Sequence, residues 1–205
     1  MEESDRTLVY VDETCFNLFT RRTRGRSQVG RPAVRQLQFT RGRNLNLCLA
    51  VAADVGIVYY EIRRGTNTKQ DFRNYMDNLD RVLESQAVEN CFVIMDNAPI
   101  HIDASSFVAT VRKIPPYSPF LNPIENCFST IKLRLREKLR EAATVRRIAD
   151  VPTDTSVSEH RISVLQGIVE EILQDQTISG VKVARMQNHI ITYLDRCLNC
   201  RDIVV

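Results

Sequence analysis

The 205 residues are 43% apolar and 26% charged, enough for one full hydrophobic core and a small appendage. No apolar stretch approaches the roughly 20 residues that a membrane helix needs, and the acidic start Met-Glu-Glu-Ser-Asp does not read as a secretory signal. The net charge of +3 is small, but its placement is uneven.

In chain order, Leu8-Val9-Tyr10-Val11 reads as a buried first strand ended by Asp12. The stretch from Thr20 to Arg43 then holds Arg21, Arg22, Arg24, Arg26, Arg31, Arg35, Arg41 and Arg43, with no lysine and no acid. Gly25, Gly30 and Pro32 break it into turns. Asn44 to Ala53 alternates like a strand, and Ile57 to Ile62 follows across a glycine turn, which predicts a hairpin. Gly65-Thr66-Asn67-Thr68 caps a helix carrying Phe72, Tyr75, Met76, Leu79, Val82 and Leu83 at helical spacing. Cys91 to Met95 is a central buried strand, and Phe107 to Ile114 a further one, ending at Pro115-Pro116. Asn122 caps a helix with Pro123 at its first position and Ile124, Phe128, Ile131, Leu135 and Leu139 on one stripe. Its flank is basic: Lys132, Arg134, Arg136, Lys138 and Arg140. After a break from Ala149 to Ser158, His160–Leu173 and Val181–Leu198 read as two more helices.

Three acids fall at informative places in this order. Asp12 ends the first strand, Asp96 follows the central one, and Glu125 opens the helix after Asn122-Pro123. An aspartate at the end of each of two buried strands is costly unless positive charge lies between them. Parallel neighbouring strands would bring those ends together, and a helix start would carry a third oxygen donor to the same rim. Mg²⁺ and Mn²⁺ take such oxygen cages, and two ions about 3.5–4 Å apart suit phosphodiester cleavage. Each acid also has a plain structural reading. The aspartates are good turn formers, and Glu125 stands where a capping-box carboxylate would.

Other residues leave two readings open. The arginine stretch is either a solvated loop or a contact to nucleic-acid phosphate, and the lack of any acid favours the second. His101 either caps a short helix or orients a ligand, and Tyr117 either stacks on a base or packs on the next helix. Glu13 points away from Asp12 on a strand and is not expected to be a ligand. Cys15, Cys48, Cys91, Cys127, Cys197 and Cys200 lie mostly in apolar runs and read as reduced thiols of an intracellular protein. Cys197-x-x-Cys200 is half of a zinc pattern without a second pair.

Val11-Asp12-Glu13-Thr14, Asp96-Asn97-Ala98-Pro99-Ile100-His101 and the run Pro115-Pro116-Tyr117-Ser118-Pro119-Phe120-Leu121-Asn122-Pro123-Ile124-Glu125-Asn126 occur in that order. With Gly65, Asn67 and Leu194-Asp195-Arg196-Cys197-Leu198, they strongly resemble the catalytic domain of the Tc1/mariner–IS630 transposases. The resemblance implies an α/β fold, an RNase H-like mixed sheet flanked by helices. Residues 1–148 would be the DDE catalytic domain and 159–205 a C-terminal helical extension packed on it or appended to it. Asp12, Asp96 and Glu125 would be the catalytic triad and hold two Mg²⁺ (or Mn²⁺) ions, with His101, Asn97 and Asn122 as auxiliary residues.

The same resemblance implies nicking at element ends and attack of a 3′-hydroxyl on target DNA. The partners would be double-stranded DNA, contacted by the arginine stretch, and a second copy in a homodimer, with no membrane. The location would be nuclear in a eukaryote and otherwise intracellular. The 28 residues between Asp96 and Glu125 leave about Ala98 to Ser106 for the crossover, short of the dozen or so that a parallel connection takes. A helix there would be one or two turns. The family's upstream helix-turn-helix modules are not in these residues, so a fragment, or a relic without its sequence reader, is expected. The alternative function is a catalytically weak or inactive, transposase-derived DNA-binding and assembly module. A nuclease for RNA–DNA hybrids is compatible with the fold, but no residue speaks for a 2′-hydroxyl reader.

Overall fold

A computed structural model describes residues 6–19, 26–33, 42–53, 55–86, 88, 90–99, 110–115, 118–175 and 177–198. Five strands, β1 (Thr7–Phe16), β2 (Leu45–Ala52), β3 (Gly56–Arg64), β4 (Cys91–Met95) and β5 (Thr110–Lys113), form one sheet in the order β3-β2-β1-β4-β5. β1, β2 and β3 are an antiparallel meander, while β4 and β5 add in parallel to the other side of β1. This mixed order is the RNase H-like arrangement that the sequence predicts.

Side chains alternate across β1, and each face has its own helices. Val9 and Val11 pack with Cys48, Ala50, Val93 and Met95 against Phe72, Tyr75, Met76, Leu79 and Leu83 of α1 (Lys69–Ser85). Thr68 and Asp71 close a capping box at the start of α1: Asp71 N donates to Thr68 Oγ1 at 3.2 Å and Thr68 N to Asp71 Oδ2 at 2.9 Å. Tyr10 and Phe16 face the other way, with Leu45, Leu47, Leu49 and Val51. That face takes α2 (Ile124–Lys138), α4 (Val157–Gln174) and α5 (Gly180–Leu198). Ile124, Cys127, Phe128, Ile131 and Leu135 are the buried stripe of α2, at spacings of three and four along the helix. The C-terminal helices therefore share one core with the sheet: Ile162, Leu165, Ile168, Val169, Ile172, Leu173 and Val183 belong to the same cluster as Tyr10.

Three differences from the sequence reading stand out. The first strand does not end at Asp12. It runs on to Phe16 because β2 pairs with it as far as Phe16↔Leu45, and the buried Phe16 anchors the end. What stops near Asp12 is the pairing with β4, whose last partners are Tyr10↔Ile94. A short helix, α3 (Ala142–Ala149), also follows α2, its Thr144 and Ile148 buried. Its two buried positions are too few for the periodicity to show in the sequence. Finally, α4 starts three residues earlier than the apolar pattern suggests, because Ser156 caps it: Glu159 N donates to Ser156 Oγ at 3.2 Å.

Candidate active site

The parallel register aims the two aspartates at the same end of the sheet. Tyr10 lies beside Ile94, so two residues further along the parallel pair Asp12 comes opposite Asp96. Asp12 shares a face with Tyr10, the face covered by α2. α2 begins at Ile124, so Glu125 sits in its first turn, where the amide dipoles favour a negative charge. The chain reaches that point by a 3₁₀ turn, Pro119–Leu121, in which Leu121 N donates to Ser118 O at 3.0 Å. Asn122 is 2% exposed and secures the helix start, its Oδ1 accepting from Ile124 N at 3.3 Å. Glu125 N donates to the Asn122 carbonyl at 3.2 Å, and no side-chain cap bond forms at Pro123. The exposed Glu125 carboxylate thus closes no capping box.

The electrostatics register the convergence. Burial pushes the Asp12 carboxyl up from about 3.8 to about 7, and the charges of Asp96, Glu125 and Glu13 push it the same way. The Glu13 amide works against them, donating to Asp12 Oδ1 at 2.7 Å. Asp96 Oδ1 accepts from Ala98 N at 2.9 Å, which bends the chain away from β4. Asn97 donates to the Ile114 carbonyl and ties this turn to the end of β5. Among the described residues no three His, Cys, Asp or Glu side chains stand close enough together to hold a metal ion. Mutual repulsion of three carboxylates opposes such closeness. Their donor set, three hard carboxylate oxygens, is of the kind that Mg²⁺ or Mn²⁺ takes.

Behind the acids, Glu13 faces α1 as expected of its place on the strand. It accepts from Asn67 Nδ2 at 3.0 Å and from Cys48 Sγ at 3.4 Å. Asn67 precedes α1 after Gly65, whose φ of +99° suits glycine. Glu13 is therefore held on the far side of the sheet from Asp12.

Of the arginine stretch, Arg26, Arg31 and Arg43 are described and exposed, and Arg43 pairs with Glu159 of α4 at 3.6 Å. Arg21, Arg22, Arg24, Arg35 and Arg41 lie outside the described residues, as do His101, Tyr117 and Cys200. One basic feature escapes the sequence reading. Arg6 and Arg112 both lie on the ring of Phe92, with guanidinium carbons 4.5 and 4.9 Å from its centroid. The two arginines are 106 positions apart, so only the register β1–β4–β5 could reveal them.

Comparison with known proteins gives the family and the fold. Residues 7–148 match the family described as DDE superfamily endonuclease. No curated protein matches the sequence. The fold is similar to the Mos1 mariner paired-end complex with Mn, with a TM-score of 0.66 and 19% identity over 97% of this chain and 56% of that one. A pre-cleavage Mos1 transpososome gives 0.66 and 18% over 97% and 56%, and the Mos1 strand transfer complex 0.65 and 19% over 94% and 54%. The chain thus spans about half the length of the transposase chains it matches. With its family match covering the sheet and all three acids, the chain belongs to the DDE superfamily endonucleases.

Proposed function

We propose that this chain is the catalytic core of a Tc1/mariner–IS630-type transposase that cuts DNA and joins the freed 3′ end to a target. The observation that carries the proposal is that the Asp12 carboxyl, raised to about 7 chiefly by burial, is raised also by the charges of Asp96 at the end of the parallel neighbour strand and Glu125 at a helix start. These three residues would hold two divalent cations, Mg²⁺ or Mn²⁺. When bound, such ions activate a nucleophilic oxygen and stabilise the leaving one. The chain's own part is to fix three oxygen donors on rigid elements. β1 and β4 set the aspartates by register, and the buried Asn122 and Ile124 seat the turn that carries Glu125. Asn97 holds the loop after Asp96 in place.

The related complexes, named for Mn, Mg and paired transposon ends, support divalent ions and DNA as ligands. Joining two element ends needs two sites, which favours a homodimer working on chromosomal DNA, in the nucleus where the host has one. Residues 1–148 would do the chemistry and 159–205 would brace them. The test is Mn²⁺-dependent nicking of duplex DNA by the 205-residue chain. Asp96→Ala is expected to abolish nicking, a drop of at least about a hundredfold by analogy with losses at preorganised charge-stabilising sites. Undiminished cleavage in that variant would discard the proposal.

A further inference from the structure

The face of the sheet that bears Asp12 is covered unevenly. α2, α4 and α5 pack over β1, β2 and β3. On β5 the same face exposes Thr110 and Arg112. Leu8 pairs with Phe92 and Ile94 with Arg112, so Phe92 and Arg112 share the face of Tyr10 and Asp12. Arg6 reaches the ring from β1, Arg112 from β5, and between them they leave Phe92 8% exposed.

A guanidinium laid flat on a ring keeps its N–H edges for another partner, and the ring's quadrupole attracts it without cancelling its charge. Sharing one ring puts the two cations within roughly 10 Å of each other, about one Debye length, so they repel. Among the described residues no carboxylate pairs with either. An arrangement that holds two like charges near each other, one of them on an exposed side chain, is satisfied by an anion.

We propose that Arg6 and Arg112, mounted on Phe92, seat a backbone phosphate of duplex DNA and lead the strand toward the acids. The proposal rests on the reading that DNA is the substrate. Arg112 stands level with Ile94, two residues before Asp96, and Phe92 stands four before it. At about 3.3 Å per residue the seat lies roughly 7–13 Å from Asp96. That is about two to four base steps at 3.4 Å of duplex per step. Three carboxylates repel an approaching phosphate chain, and a cationic seat on the same face offsets that repulsion next to the cleavage point.

The experiment is fluorescence anisotropy of a labelled duplex against increasing NaCl, in EDTA, with the full chain. Each phosphate contact contributes about 0.9 to the slope of log K against log salt. Arg6→Gln with Arg112→Gln removes the one seated phosphate and is expected to lower that slope by about 0.9. An unchanged slope in the double variant, or no salt-dependent duplex binding by the unmodified chain, overturns the seat. Phenylglyoxal modification read by mass spectrometry gives a second test on the unmodified protein, independent of how the variants fold. Duplex is expected to protect Arg6 and Arg112, and equal modification with and without it overturns the proposal. Neither readout uses cleavage. A seat that fails with Mn²⁺ nicking intact, or nicking that fails with the slope loss intact, therefore tells the two ideas apart.

Discussion

Asp12 places an ionisable group where ionisation is unfavourable. Its carboxyl is held at about 7, against about 3.8 for an ordinary aspartate. Between those values the folded protein binds a proton that the unfolded chain has released, so folding stability falls as pH rises through that window. Above about 7 the full cost, on the order of 4 kcal/mol, is present unless a cation offsets it. The expected result is a melting temperature in EDTA that declines from about pH 5 to about pH 8, with the decline much reduced in Asp12→Asn. That variant should be the more stable protein at the upper end and should lose the stabilisation that added Mn²⁺ gives the native chain. Parallel pH profiles for the two proteins would show that Asp12 is not the group responsible.

At the scale of elements, a glycine joins the sheet to the C-terminal helices. Gly56 opens β3 with a φ of +92° and bridges to Ser179 just before α5. A Cβ there would lie 2.8 Å from the Ile178 carbonyl oxygen, which is backbone and cannot step aside. Gly56→Ala is therefore expected to cost about 2 kcal/mol or more, from strain and displacement together, read by urea denaturation. A loss below about 0.5 kcal/mol would mean that the β3–α5 junction gives way freely.

Most elements were legible in the sequence because their apolar period is clean. β2 shows its inward leucines at every second position, and α1 shows Phe72 to Leu83 at three and four. The end of β1 was misread because Asp12-Glu13-Thr14 looks like a turn. Only the partner strand β2 keeps it extended. Asp96 after the central strand and Glu125 at a helix start were legible from the sequence. The Arg6–Phe92–Arg112 stack was not, because it depends on register between strands far apart in the chain.

For the whole molecule, the question is whether α4 and α5 are an appendage. Ile168, Val169 and Val183 are fully buried in the same cluster as Leu47 and Ile131. A chain ended at Asp150 would expose that face of the sheet. Each large apolar side chain left bare forfeits about 1.5–3 kcal/mol, and several together exceed a typical domain's stability. Such a truncation is expected to show no cooperative melt and to bind a hydrophobic dye. A sharp transition near that of the intact chain would make the two helices dispensable.

The three acids do not share one foundation. Asp12 lies within β1 and Asp96 just past the end of β4, while Glu125 rides two residues ahead of Cys127, whose sulfur rests 3.8 Å from that of Met186 on α5. That sulfur contact gives α5 a direct route to the helix that carries Glu125. Of the three acids, Glu125 is thus the one coupled most directly to the C-terminal helix.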